Sequence, residues 1–141
     1  MKRSGRAGTL FLLEIIFTIL FFSLAAAVCV NIFAKAREIS GDAQKLNHAV
    51  TEVSNICETV AAAGSREEAE TLLAQVHDFH EGCAALDENY EDTEAQNAVY
   101  LLSYRLTETD GMLTADVSMK ENGTEDELFS QQTTQYIGRQ N

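Results

Sequence analysis

Residues 9–34 of this chain read TLFLLEIIFTILFFSLAAAVCVNIFA, its longest apolar run. The run holds a single charged residue, Glu14, and neither proline nor glycine. As an α-helix it would extend ~39 Å at ~1.5 Å per residue, which is enough to cross a hydrocarbon core of about 30 Å. A helix satisfies its own backbone hydrogen bonds, as a segment surrounded by lipid must. The run therefore predicts a transmembrane helix over residues 9–34, with membrane lipid as its immediate partner.

The two flanks of this helix differ in charge. Residues 1–8, MKRSGRAG, carry three basic residues and no acid, and are interpreted as a basic cytoplasmic leader. Residues 35–141 carry 7 basic and 21 acidic residues, a net charge of −14. Because short basic flanks stay inside, the sequence predicts a single-pass protein of the cell membrane with a cytoplasmic N-terminus and an extracytoplasmic domain at 35–141. A cleaved secretory signal is the alternative, but its apolar core would span only ~7–15 residues.

Glu14 is the feature that membrane crossing alone leaves unexplained. An acidic side chain at the centre of a membrane helix costs on the order of 2.5–3.5 kcal/mol on insertion scales, and such residues generally have a partner. A position close to the lipid headgroups would lower this cost. A tolerated acid near the interface therefore stays open beside a functional role.

The order of these features resembles the N-terminus of type IV pilins and pseudopilins. The resembling segment covers about residues 1–36 and consists of a short basic leader, a glycine, and TLFLLE at the head of a long apolar helix. The resemblance implies a processing site at Gly8, Thr9 and Leu10, where a prepilin peptidase cuts after glycine and the new terminus is methylated. It also implies an assembly role for Glu14, paired with the terminal amine of a neighbouring subunit. The spacing departs from the family pattern, since a cut after Gly8 makes Glu14 the sixth residue rather than the fifth, and the family's mid-helix proline is missing.

The function implied by this resemblance is that of a structural subunit, a pseudopilin or minor pilin, of a type IV pilus-like or type II secretion-like filament. Its partners would be other pilin-like subunits, contacted through the N-terminal helix, together with the prepilin peptidase and the assembly machinery. The residues leave open a different class, a membrane-anchored extracellular binding or accessory domain that does not polymerise.

Composition and motifs argue against other classes of function. The whole chain has a net charge of −12 and lacks the basic stripe that nucleic-acid binding needs, so no nucleic-acid partner is expected. The 107 residues after the membrane segment suffice for one small domain with a modest core. The sequence shows neither a nucleophile set nor a phosphate-binding glycine loop, and we expect neither enzymatic activity nor a cofactor.

Helical periodicity continues beyond the membrane segment. Apolar residues recur at steps of three and four through residues 46–60, which predicts one helix over about 9–63, with room for a bend at Gly41. Ser65, followed by an acid three residues later, is typical of a capping box and predicts a second helix over 66–81.

The period changes to two in the C-terminal third of the chain. Residues 100–106 and 113–119 alternate between apolar and polar side chains on either side of a turn that contains Asp-Gly, which is a strong hairpin signal. Residues 128–137 predict a weaker third strand. Because the apolar face of such a sheet needs a cover, the predicted fold class is α+β: a long N-terminal helix and a short second helix over a small antiparallel sheet of about three strands, an architecture that is also pilin-like.

Cysteines, histidines and acids offer weaker candidates. Cys57 and Cys83 lie in the exported part, where a disulfide is permitted, but a helical hairpin would not bring them face to face. His77 and His80 lie three residues apart, yet no third ligand stands at a diagnostic spacing, so they are interpreted as ordinary surface histidines and no metal site is predicted. The acidic stretch 87–94 is expected to be a solvated loop, with Ca²⁺ binding as the open alternative.

Overall fold

A computed structural model describes residues 4–138 and confirms the α+β class. The sheet has four strands rather than about three, in the order β1-β2-β3-β4 and antiparallel throughout. The chain divides into two compact units, Met1–Asp42 and Ala43–Asn141. The elements, with a 3₁₀ turn at Ala95–Asn97, are α1 (Ser4–Ala62), α2 (Arg66–Val76), β1 (Cys83–Leu86), β2 (Tyr100–Thr109), β3 (Met112–Glu121) and β4 (Glu127–Tyr136).

The first unit is helical from Ser4 onward, so α1 begins five residues before the predicted start. Every side chain from residue 5 to residue 40 is exposed, including the whole apolar run. By length and composition α1 can cross a membrane. An apolar surface of this extent is stable only against lipid or against other apolar surfaces.

The second unit has its own hydrophobic core between the sheet and the two helices. Most of the stripe predicted on the outer half of α1 is buried from Ala49 onward, although Leu46 and Val50 are 46% and 36% exposed. Most of the alternating apolar set of the β2–β3 hairpin is buried as well, with Tyr104 partly buried. Asp110 and Gly111 turn this hairpin with positive φ angles of 53° and 78°. The largest fully buried side chains are Val53, Ile56, Val60, Leu73, Leu86, Leu102, Leu113, Val117 and Met119.

The predicted second helix is too long at its C-terminal end. α2 ends at Val76, and His77 is extended, with φ −143° and ψ 161°. The chain then reverses at Glu81 and Gly82, where φ is positive at both residues (53° and 81°), as in a type I′ turn. This turn pairs the backbones of His80 and Cys83, whose N–H groups donate to each other's carbonyls at 2.9 and 3.0 Å. Contacts made by the folded domain therefore override the helical pattern after Val76.

β4 is the predicted weak third strand, and it lies at an edge of the sheet. Its residues opposite the apolar face of β3 are largely polar, which explains the weak sequence signal. One of them, Gln135, donates from Nε2 to the carbonyl of Val60 at 2.8 Å and to that of Ala63. Val60 lies in the last turn of α1 and Ala63 directly follows the helix, where backbone carbonyls lack the usual intrahelical donors. A glutamine on a strand thus caps the end of the long helix.

Ser65 caps α2 as predicted, and its removal is expected to cost stability. Its Oγ accepts from the Glu68 N–H at 3.2 Å, while Glu68 Oε2 accepts from the Gly64 N–H at 2.8 Å. We expect Ser65→Ala to lower the free energy of unfolding by ~1 kcal/mol, because one N-terminal backbone donor loses its acceptor. Urea unfolding of the full chain in detergent micelles, followed by tyrosine fluorescence, measures this loss. Ser65→Asp keeps an acceptor and should unfold like the wild type; an unchanged midpoint for Ser65→Ala would contradict the capping role.

Candidate functional site

The candidate assembly site is the surface of α1 around Glu14. Its neighbours on the helix include Phe17, Thr18 and Phe21, and the surface they form is predominantly apolar. The Thr18 hydroxyl donates to the backbone carbonyl of Glu14 at 2.8 Å and leaves the carboxylate untouched. Within residues 4–138, the Glu14 carboxylate has no hydrogen-bond or ion-pair partner. The site is therefore a single acid set in an exposed apolar surface.

The predicted processing residues Gly8, Thr9 and Leu10 all lie in the first turns of α1, and all are exposed. The Thr9 hydroxyl donates to the carbonyl of Gly5 at 2.8 Å, an ordinary bond along a helix. A Cβ atom at Gly8 would meet nothing within 4 Å. Glycine inside a helix costs about 1 kcal/mol relative to alanine, so neither packing nor helix geometry explains this residue.

A second cluster joins α1 to the acidic stretch 87–94. His77 lies between two carboxylates: its Nε2 is 3.0 Å from Glu52 Oε2, and its Nδ1 is 2.9 Å from Asp92 Oδ1. The His77 side chain is only 10% exposed. The expectation of a surface histidine is therefore wrong for His77. For His80 it is confirmed, because that side chain is 83% exposed and lies 3.4 Å from an Asp78 carboxylate oxygen.

The stretch 87–94 is folded around its own side chains. Asp87 Oδ1 accepts from the backbone N–H groups of Asn89 and Glu91 at 2.8 and 3.1 Å. Tyr90 stacks between His48 and Tyr100, with ring centroids 4.2 and 4.8 Å away. Burial, together with a hydrogen bond to Tyr100, raises the pKa of Tyr90 to about 12.

No metal ligand set is formed in the part of the chain that the structure describes: it holds no group of three or more His, Cys, Asp or Glu side chains placed to bind an ion. The first acid of the stretch, Asp87, is already used by backbone donors. Asp92 is used by His77. The stretch is mostly exposed, as expected of a solvated loop, and these hydrogen bonds also give it a folded backbone.

The candidate disulfide is not formed, because Cys57 and Cys83 lie on opposite sides of the sheet. Cys57 packs in the core from α1, and burial raises the pKa of its thiol. On β1 the inward side chains are Ala84 and Leu86, so the alternation turns Cys83 to the outer face. Both thiols are free, and so is the exposed Cys29 on α1.

Among the residues that the structure describes, we select two candidate sites that the core does not require: Glu14 on α1, and His77 with its two carboxylates. Sequence reasoning identified the first and missed the second, because Glu52 and Asp92 lie 25 and 15 residues from His77. No protein family, curated protein or solved structure matches this chain, so only its own residues and geometry bear on its function.

Proposed function

We propose that this chain is a structural subunit, a pseudopilin or minor pilin, of a type IV pilus-like or type II secretion-like filament. It is held in the cell membrane by α1, with a cytoplasmic N-terminus and an extracytoplasmic α+β domain. The observation that carries the proposal is the carboxylate of Glu14, which has no partner among residues 4–138 and lies on an apolar helix surface that is exposed along its length. Assembly through α1 would bury this surface against the same surface of other copies.

The carboxylate decides which contacts are stable. An unpaired charge among apolar helices costs several kcal/mol, so a packed bundle requires a cation beside Glu14. If Thr9 becomes the N-terminus, its amine stands five residues away on the same helix, about 7.5 Å along the axis. An ion pair needs a separation of about 4 Å or less, so a pair within one chain would require the Glu14 side chain to extend along the helix toward its own terminus. The terminal amine of an adjacent copy, shifted along the helix axis, can lie directly beside the carboxylate.

The leader supports the proposal independently of Glu14. Its three basic residues favour a cytoplasmic N-terminus, on the side where a prepilin peptidase acts in the family that the segment resembles. Among the described residues, nothing lies within 4 Å of a Cβ atom built at Gly8, so packing there does not require a glycine. Recognition by a peptidase would explain why glycine stands there.

Intact-mass measurement of the chain purified from its native membranes tests the processing step. We expect the loss of the first eight or nine residues, with an added methyl group on the new terminus. A cut after Gly8 makes Glu14 the sixth residue of the processed chain, and a cut after Thr9 makes it the fifth. The mass therefore also shows how many residues separate Glu14 from the terminal amine. A full-length chain would contradict processing and favour the anchored domain that does not polymerise.

Matched glycine variants show whether the cut depends on the proposed site. Gly5 and Gly8 both lie on open helix surface, where an added Cβ meets nothing within 4 Å. We expect Gly8→Leu to block the mass loss and Gly5→Leu to leave it unchanged. Equal processing of the two variants would contradict a site at Gly8.

A further inference from the structure

We propose that His77 is a proton-dependent latch that holds the acidic loop 87–94 against α1. The inference concerns the extracytoplasmic domain and is independent of whether the chain forms a filament. The latch consists of three side chains from three parts of the fold: Glu52 on α1, His77 immediately after α2, and Asp92 in the loop.

The hydrogen-bond geometry places a carboxylate oxygen within 3.0 Å of each nitrogen of the His77 ring. Where both carboxylates are ionised, each can only accept a hydrogen bond, so both contacts are satisfied only by a ring that carries two protons. A neutral imidazole has one N–H and one lone pair, so it can donate to Glu52 or to Asp92 but not to both. The imidazolium donates to both, and each bond is then strengthened by charge.

Loss of the second proton turns one of these two contacts from an attraction into a repulsion. The bare nitrogen would direct its lone pair at a carboxylate oxygen about 3 Å away. Solvent screens this repulsion weakly on the side of Glu52, whose side chain is 19% exposed, and more strongly on the side of Asp92, whose side chain is 40% exposed. The two carboxylates would then face each other across a neutral ring. The latch is therefore closed while the ring carries both protons and the carboxylates are ionised, and it opens as rising pH removes the second proton.

The other ionisable groups around the latch do not replace this interaction. His48 on α1 stacks on Tyr90 of the loop, and Tyr90 stacks in turn on Tyr100 of β2. Asp78 and His80, on the same segment as His77, are both strongly exposed and lie beside each other. Phe79 separates the ring from Tyr104, with edge-to-face contacts on both sides. The loop thus keeps its aromatic contact with α1 but loses its ionic one when the latch opens.

Amide hydrogen exchange of the full chain in micelles, measured across pH and corrected for intrinsic exchange, follows the latch. We expect exchange in residues 87–94 to rise roughly tenfold or more as the ring loses its second proton, because one hydrogen bond is lost and the other is no longer strengthened by the charge of the ring. Ring-nitrogen NMR of His77 on the same sample should show both nitrogens protonated in the protected state. Protection of the loop that stays constant while His77 deprotonates would overturn the proposal.

Two substitutions separate the latch from a merely structural contact. Asp92→Asn supplies an N–H that a neutral ring can accept, so we expect this variant to keep the loop protected at high pH. His77→Gln can donate from its amide group on one side only and should leave the loop weakly protected at every pH. His80→Gln, a change at the exposed neighbour, should behave as the wild type. An Asp92→Asn chain that retains the wild-type pH dependence would contradict the latch even if His77→Gln were unfolded.

Discussion

Replacing Glu14 by alanine is expected to remove the chain from filaments while leaving its insertion into the membrane intact. Insertion depends on the apolar length of α1, which the substitution increases. In the proposed filament, assembly would depend on the ion pair, and its loss would leave the amine of the adjacent copy buried without a counter-charge. Breaking one side of a buried pair costs about 3–5 kcal/mol, which corresponds to a ~100-fold or larger fall in incorporation at each contact. Immunodetection of the chain in sheared filament and membrane fractions measures both quantities together.

Two further substitutions test whether the charge of Glu14, rather than its polarity, matters. Glu14→Gln keeps the size and hydrogen-bonding groups of the side chain but not the charge, and should assemble almost as poorly as Glu14→Ala. Thr18→Val removes a polar group one turn away, whose hydroxyl bonds only the backbone carbonyl of Glu14, and should assemble normally. Filament fractions that contain Glu14→Ala at the wild-type level would rule out the proposed pairing. Poor assembly of Thr18→Val would instead show that any change on this face is disruptive.

The parts of the fold that sequence reasoning predicted are those with local signals. α1 follows from an uninterrupted apolar run and from the stripe after it. The β2–β3 hairpin follows from strict alternation around Asp110 and Gly111, a pair suited to positive φ at both positions. Ser65 follows from the preference of serine for a helix N-terminus. In each case the information lies within a few residues of the element that it specifies.

The parts that were missed depend on distant contacts. β1 consists of Cys-Ala-Ala-Leu, which lacks the β-branched and aromatic residues that are typical of strands. It is a strand because its backbone pairs with the edge of β2. The early end of α2 follows from His77, whose ring is held by residues from two other segments. The latch was missed for the same reason: its three residues are spread over 41 positions and form no recognisable pattern in a single sequence. Glu14, by contrast, is conspicuous because one charge interrupts an apolar run.

A large stability loss from a single added methyl group is expected at Gly82 in the α+β domain. Its φ of +81° is a left-handed conformation, which costs a residue with a Cβ roughly 1–2 kcal/mol. The Cβ would also stand 2.8 Å from the backbone carbonyl oxygen of Tyr104, closer than such atoms can approach. That carbonyl cannot retreat freely, because the Tyr104 N–H donates to the Gly82 carbonyl at 2.8 Å and holds the two backbones together. Forcing extra volume into a packed site costs a further ~1–3 kcal/mol, so Gly82→Ala should lose about 3 kcal/mol in total.

Gly123→Ala is the matched control, because Gly123 also has a positive φ angle but an added Cβ atom there makes no steric clash. Its φ is +86°, and a Cβ there meets nothing within 4 Å. We therefore expect urea unfolding to show a loss of about 1–2 kcal/mol for Gly123→Ala and a clearly larger one for Gly82→Ala. Amide exchange should also rise at Tyr104 in Gly82→Ala alone, because the bond to the Gly82 carbonyl must lengthen to admit the methyl group. Equal losses in the two variants would mean that β1 yields to the added atom, and that the turn at Glu81 and Gly82 does not fix the pairing of β1 with β2.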